Sequence, residues 1–157
     1  MTGVQTCALP ITVPTGWDLT SATCSDGSPV TAIDLSAGEA VTCTFTNTKR
    51  ANLTIVKNTV GGDGTFPFTT TGGTPLANFN LTTTSNTANQ VFNNVPPGNY
   101  SVTEGTLPTG WQFTSLSCTT GGTNAGQVAS IVMPAGGDIT CTFTNTKLGT
   151  KIGRAHV

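Results

Sequence analysis

Apolar side chains alternate with polar ones in short runs along most of this chain. Residues 52–58, NLTIVKN, put Leu53, Ile55 and Lys57 on one side and Asn52, Thr54 and Val56 on the other. The same period of two recurs at 65–70, 78–83, 89–93, 99–104, 111–117, 127–133 and 138–145, so eight strands are predicted over 51–147. Turn formers separate them: Gly61-Gly62-Asp63-Gly64, Gly72-Gly73, Pro96-Pro97-Gly98, Pro108-Thr109-Gly110, Gly121-Gly122 and Gly136-Gly137. No segment keeps apolar residues at i, i+3 and i+4 over several turns, so no helix is predicted. Short strands at this spacing predict an all-β chain folded as an antiparallel β-sandwich. Leu53, Ile55, Phe92, Tyr100, Val102 and Phe143 are its expected core.

The pattern also repeats at long range. Residues 14–24 read PTGWDLTSATC and 108–118 read PTGWQFTSLSC; CTFTNTK stands at 43–49 and again at 141–147. The offset is 94 at the tryptophans and 98 at the second cysteines, which leaves four extra residues in the later loop. A repeat of this size means tandem domains rather than a solenoid. The expected organisation is a complete module at 51–147, preceded at 12–50 by the C-terminal part of another. That part should have unpaired strands and an uncovered apolar face.

Composition narrows the function classes. Of 157 residues only 8% are charged, 34 are threonine and one is histidine. Threonine suits the solvated face of a strand. A formal net charge of −1 offers no basic surface for nucleic acid. No apolar run reaches the 18 or so residues of a membrane span. The ends differ in style from the rest. MTGVQTCALPI at 1–11 and IGRAHV at 152–157 resemble the in-frame translation of a sequencing adapter, with one strand at the start and its reverse complement at the end. As a signal peptide, residues 1–11 lack a basic start and a sufficient apolar stretch. Both ends are therefore set aside as tags are, with 148–151 as a remaining tail. Cys7 and His156 go with them. Between 12 and 150 there remain four bases, seven acids, four cysteines and no histidine.

Those four cysteines fall in equivalent places, Cys24 and Cys43 in one copy, Cys118 and Cys141 in the other. Repetition of the pair argues for one disulfide in each copy and for an oxidising location. A zinc site is the rival, and it lacks the CxxC spacing and the histidines it usually needs.

Three separated motifs resemble a known family. VPPGNYSVTEGTLPTGW at 95–111, opening LTIVKN at 53–58 and closing FTNTK at 143–147 are similar to the hallmarks of prealbumin-like modules of bacterial surface proteins, the collagen-adhesin B-repeat and pilin-repeat type. The resemblance covers 51–147 in full and 12–50 in part, and it implies a prealbumin-like sandwich, immunoglobulin-like in its layering. The cysteine pairs depart from it. Many members of this family form an isopeptide bond between a lysine of the first strand and an asparagine or aspartate of the last, with an acid nearby. The resemblance thus implies Lys57 and Asn145 as partners and Glu104 as the acid. Strand parity agrees: Lys57 shares a face with Leu53 and Ile55, Glu104 with Tyr100 and Val102, and Asn145 with Cys141 and Phe143. Burying one charge alone costs several kcal/mol, so three inward polar residues on three strands suggest mutual contact. Burial also favours a neutral amine, which is the nucleophilic form. Alternatively, Lys57 and Asn145 lie at strand ends and reach water. Both readings stand at this point.

Other signals are weaker. Leu107-Pro108-Thr109-Gly110 looks like a sorting tag but lies within a Pro-x-Gly-Trp turn. Trp17 and Trp111 occupy one repeat position, which suits packing better than sugar stacking. The sequons at Asn52, Asn80 and Asn99 fit chance in a Thr/Asn-rich chain. Thr140, Thr142, Thr144 and Thr146 alternate as the wet face of one strand, too narrow for an ice-binding array. No catalytic constellation, metal set or cofactor motif is expected, and the chain reads as no enzyme. The expected role is a stalk or spacer repeat of a large secreted or cell-surface bacterial protein, whose partners are neighbouring repeats. The alternative is an adhesin or carbohydrate-binding module that meets a host or matrix protein or a glycan through loops 72–77 and 119–127.

Overall fold

The computed structural model describes residues 12–149, and every regular element in that span is a strand. The adapter-like residues 1–11 and 152–157 lie outside the described residues. The chain divides after Arg50 into two compact units.

The first unit contains one hairpin, β1 (Trp17–Cys24) and β2 (Cys43–Lys49), which pair antiparallel as a two-stranded sheet. A bulge at Thr20 shifts the register between Leu19 and Ser21. The Arg50 side chain forks onto the Asp18 carboxylate, donating from Nε at 2.8 Å and from Nη2 at 2.6 Å.

The second unit is a β-sandwich of nine strands. Its four-stranded sheet runs β6 (Thr87–Val95), β3 (Ala51–Val60), β11 (Asp138–Lys147), β8 (Trp111–Cys118). The facing five-stranded sheet runs β5 (Phe79–Thr82), β4 (Thr65–Thr71), β7 (Gly98–Glu104), β10 (Val128–Met133), β9 (Gly122–Ala125). All pairings are antiparallel except one: β3 and β11, the first and last strands, run parallel side by side, with Leu53 opposite Ile139 and Phe143 opposite Lys57. A parallel pair cannot be joined by a tight turn. Here the rest of the module forms the connection, and the parallel pair puts the N-terminus of β3 and the C-terminus of β11 at opposite ends of the sheet.

The inward residues of the two sheets form a single core. Leu53, Ile55, Phe92, Tyr100, Val102 and Phe143 are all buried, as their parity requires, together with Phe66, Phe68, Val95, Ile131, Met133 and Ile139. Phe68 stands edge-on to Phe143 at 5.1 Å and stacks on Phe79 at 5.0 Å between centroids, geometries that suit the ring quadrupole. The start of β7 is pinned by the Tyr100 hydroxyl, which donates to the Pro96 carbonyl at 2.8 Å. Gly72 is required beside it: its φ is +107°, and a Cβ there would come within 2.4 Å of the Tyr100 ring. Pro108–Trp111 is a turn closed by Trp111 N–H to the Pro108 carbonyl at 3.1 Å.

Eight of the nine strands follow the sequence pattern to within two residues. The ninth, β9, has no such signal: Gly-Thr-Asn-Ala is uncharged, lacks large apolar residues and is exposed throughout. It is an edge strand paired with β10, and its Asn124 amide also donates to the Leu116 carbonyl of β8 at 3.4 Å.

Candidate cross-link site

Lys57 projects inward from β3, Asn145 from β11 and Glu104 from the last position of β7 in the facing sheet. All three side chains are buried, Lys57 and Asn145 completely. A single atom, Glu104 Oε1, joins them. It lies 3.0 Å from Lys57 Nζ and accepts from Asn145 Nδ2 at 2.8 Å. Lys57 Nζ also donates to the Phe143 carbonyl at 3.4 Å and sits 4.5 Å from the centroid of the Phe66 ring. The three polar residues therefore meet in the core and do not reach water at the strand ends.

The strand arrangement accounts for this meeting. Because β3 and β11 are parallel neighbours, Lys57 stands opposite Phe143 and Asn145 opposite Thr59, so the two polar residues are diagonal neighbours on one face. Glu104 closes the triangle from across the sandwich. Its backbone N–H donates to the Gln127 carbonyl at 3.0 Å, and the Gln127 amide donates to the carbonyls of Glu104 and Gly105 at 3.2 and 3.0 Å. Gln127 thereby fixes the end of β7, a positioning role with no sequence motif behind it. Phe66, which walls the amine, shares the inward face of β4 with Phe68, but strand parity does not place it beside Lys57.

Burial holds the Lys57 ammonium below its ordinary value of 10.5, against the opposing effects of the hydrogen bond and charge of Glu104. Two polar atoms of the triangle have no hydrogen-bond partner, Glu104 Oε2 and Asn145 Oδ1. Buried atoms of this kind cost free energy and are rare in native structures. An amine, a carboxamide and a carboxyl group enclosed in an apolar core have the composition needed for amide exchange between lysine and asparagine.

A covalent link already lies at the other end of the β8–β11 pair. Cys118 and Cys141 stand directly opposite each other and are joined as a disulfide. Cys24 and Cys43 are joined at the equivalent place in the first unit. Among the described residues no group of three or more His, Cys, Asp or Glu side chains is placed to hold a metal ion, and no helix is long and apolar enough to cross a membrane.

The model of the prealbumin-like fold domain family matches residues 53–147, more than half of the chain, and the chain belongs to that family. Among solved structures, a bacterial adhesin from Mobiluncus mulieris, containing intramolecular disulfide, isopeptide and ester bond cross-links, matches with a TM-score of 0.51 at 12% identity. The match covers 73% of this chain and 47% of the adhesin, so the chain spans about half of that protein. The minor pilin of Streptococcus agalactiae gives a TM-score of 0.43 at 14% identity, covering 78% of this chain and 61% of the pilin. The major pilin of Streptococcus pyogenes gives 0.39 at 17%, covering 88% and 66%. At these identities the likeness is one of fold. Comparison with curated proteins gives no significant match.

Proposed function

We propose that the chain is a non-catalytic structural repeat, a stalk or spacer segment of a larger secreted or cell-surface bacterial protein, and that its complete module is locked by an isopeptide bond between Lys57 and Asn145. The observation that carries this reading is the buried triangle at Glu104, which ties the first strand of the module to the last. The fold family supports it, and the adhesin of similar fold carries the same kinds of cross-link.

The chemistry follows from the three groups. The Lys57 ammonium passes a proton to Glu104, which its lowered affinity for that proton favours. The neutral amine attacks Asn145 Cγ. Glu104, now a carboxylic acid, donates to Oδ1 as the carboxamide turns; as a carboxylate it then takes a proton from Nζ and passes it to the departing nitrogen, and it recovers the Oδ1 proton as the carbonyl reforms. The Nζ–Cγ bond forms, the Cγ–Nδ2 bond breaks and ammonia leaves. Carboxylic acid and amide oxygen then satisfy each other, which removes the two orphaned atoms. The reaction occurs once per chain and turns nothing over.

The bond would also set the mechanical behaviour. Force applied at Ala51 and Lys147 shears β3 along β11, because the two strands are parallel and loaded at opposite ends. A link from Lys57 to Asn145 carries that load covalently before the sandwich can open. An intact mass measurement after reduction tests the chemistry: the protein should weigh one ammonia less than its sequence. Lys57→Ala, Glu104→Gln and Asn145→Ala should each restore the full mass. Pulling single molecules tests the role: the unsubstituted module should not extend, whereas Lys57→Ala should unfold stepwise.

A ligand-binding role has less support. The depression beside the 119–127 loop, about 380 Å³, is open and lined by Thr71, Asn99, Ser101, Thr123 and Ser130, and its aromatic, Tyr100, is buried against the sheet. Glycan recognition usually relies on an exposed aromatic face.

A further inference from the structure

The Pro108–Trp111 turn delivers an indole to the end of the sandwich where Lys57 is buried. Trp111 opens β8 opposite Lys147, the last residue of β11. Its backbone is fixed by the bond that closes the turn and by Leu148 N–H, which donates to the Gly110 carbonyl at 2.7 Å. Inward, its ring meets Phe66 in an edge-to-face contact, 5.1 Å between centroids with the planes at 85°. Phe66 is fully buried, and Lys57 Nζ lies 4.5 Å from its centroid. Outward, Lys147 Nζ lies 6.0 Å from the Trp111 centroid. Trp111 is partly buried, so it forms the outer layer of an aromatic pair whose inner layer touches the amine.

The turn before β4 is shaped to the same two rings. A Cβ on Gly64 would lie 3.1 Å from Phe66 Cζ and 3.1 Å from Trp111 Cζ2, tighter than side chains ordinarily pack. Gly64 has no freedom to retreat. Its N–H donates to Thr83 Oγ1 at 3.0 Å, and its carbonyl accepts from Thr83 N–H at 2.9 Å. Thr83 is itself buried, and the neighbouring Asp63 carboxylate accepts from the N–H groups of Ser85 and Asn86 at 3.2 and 2.7 Å. The Gly61–Gly64 turn, β4, the start of β8 and the end of β11 thus converge on one aromatic pair, and none of them supplies a reacting group.

We infer that Trp111 is a positioning residue of the cross-link: it acts through Phe66, holding that ring against the Lys57 amine so that water stays out and Nζ stays beside Glu104. This rests on the isopeptide reading above. A lysine stem is flexible, so the place of its nitrogen is set by what surrounds it. The Phe66 face attracts the ammonium and anchors it before reaction. Burial meanwhile favours the loss of its proton. Both effects need the ring to stay where it is, and the indole edge is what stops it from turning. With Trp111 cut back, Phe66 moves into the space left and the amine gains room and water. A hydrated ammonium keeps its proton, and a nitrogen displaced by about 1 Å from the carbon it attacks reacts up to about 100-fold more slowly. Glu104 and Asn145 keep their own contacts, because Gln127 and β11 hold them from other sides.

The test uses the full chain, collected in denaturant before it folds, then refolded and followed by intact mass after reduction. The rate at which one ammonia is lost is the readout. The stability of each variant is measured alongside in an Asn145→Ala background, where no bond forms. Trp111→Leu and Phe66→Leu should each slow the loss at least about tenfold. The double variant should be no slower than the slower single one, because one residue acts through the other. Trp111→Phe retains an aromatic edge and should keep most of the rate. Gly64→Ala leaves both rings present but presses on them, and it should slow the loss by less than Trp111→Leu does. Met133→Ala, at the far end of β10 from the amine, should destabilise the unit comparably and leave the rate nearly unchanged. Multiplying effects in the double variant, or rates that follow stability alone, Met133→Ala included, would overturn the inference. Should Trp111→Leu not fold, an unslowed Gly64→Ala overturns it as well. The unsubstituted chain separates the two readings. If it loses ammonia and Trp111→Leu does so equally fast, the bond stands and only the positioning role fails. If it keeps its full mass, the isopeptide reading fails and the positioning role fails with it.

Discussion

CTFTNTK occurs twice in this chain and behaves in two ways. At 141–147 it lies in the middle of a four-stranded sheet, and Cys141, Phe143 and Asn145 are sealed in the core. At 43–49 it has the same strand conformation, the same cross-strand disulfide and the same bulged partner, yet its asparagine faces solvent. Strand formation is thus set by threonine-rich alternation and by pairing with one disulfide-linked antiparallel neighbour. Burial, and with it any unusual chemistry of the asparagine, comes from the strands that arrive on the second edge and from the opposite sheet. The same carboxamide is exposed at Asn47 and, at Asn145, is buried against Glu104, which also meets Lys57.

The sharpest way to break the comparison is to remove the acid. Glu104→Ala leaves Lys57 as an uncompensated buried charge, and it should destabilise the 51–149 unit by about 3–5 kcal/mol before any loss of the covalent bond is added. Asn47→Ala in the first unit should cost less than about 0.5 kcal/mol, as an exposed surface change does. Denaturant unfolding followed at Trp111 and Trp17 distinguishes the two units. Equal losses would mean that the buried triangle is not special.

The core phenylalanines give the next contrast. Phe143→Ala removes a fully buried ring packed edge-on to Phe68 and should cost about 3–5 kcal/mol. Phe45→Ala, at the matching place in the hairpin, should cost less, about 1–2 kcal/mol, because the residue is only partly buried.

The disulfides should differ in consequence more than in size. Each closes a loop of similar length, 19 and 23 residues in sequence separation, worth about 3 kcal/mol in the chain-entropy model. Replacing Cys118 and Cys141 by serine should lower the stability of the sandwich by that amount and leave it folded, since six other strand pairings and a large core remain. Replacing Cys24 and Cys43 should abolish amide protection in β1 and β2, because a lone two-stranded hairpin is marginal in water. Hydrogen exchange of the two double variants reads both outcomes.

The smallest effect is one of pH. In Asn145→Ala the bond cannot form and Lys57 remains titratable, with its proton held less tightly in the folded state than at its ordinary 10.5. The unfolded chain then binds more protons between the lowered value and 10.5, so stability rises with pH across that window and is lowest below it. Denaturant midpoints of Asn145→Ala, compared with Lys57→Met/Asn145→Ala to remove other titrations, should converge as the pH approaches 10.5. A difference that widens with pH would reverse the assigned direction.

Much of this molecule could be read before any fold was known, and the reason is the same wherever it succeeded. A two-residue period assigns every inward position of β3, β7 and β11 from local sequence, so the core aromatics and aliphatics and the three inward polar residues were all legible from parity. Repetition placed the cysteines in equivalent positions. What parity cannot express is which strands are neighbours. That β3 and β11 lie side by side and parallel, which makes Lys57 and Asn145 diagonal neighbours, is a property of the topology. So is the approach of Glu104 from the other sheet, fixed by Gln127, and the enclosure of the amine by Phe66. The edge strand β9 carries no apolar pattern because it is exposed throughout, and its place in the sheet comes from its pairing with β10. Residues 30–35 show the same limit from the other side: Val30 and Ile33 stand at the repeat positions of Val128 and Ile131 in β10, yet 30–35 form no strand.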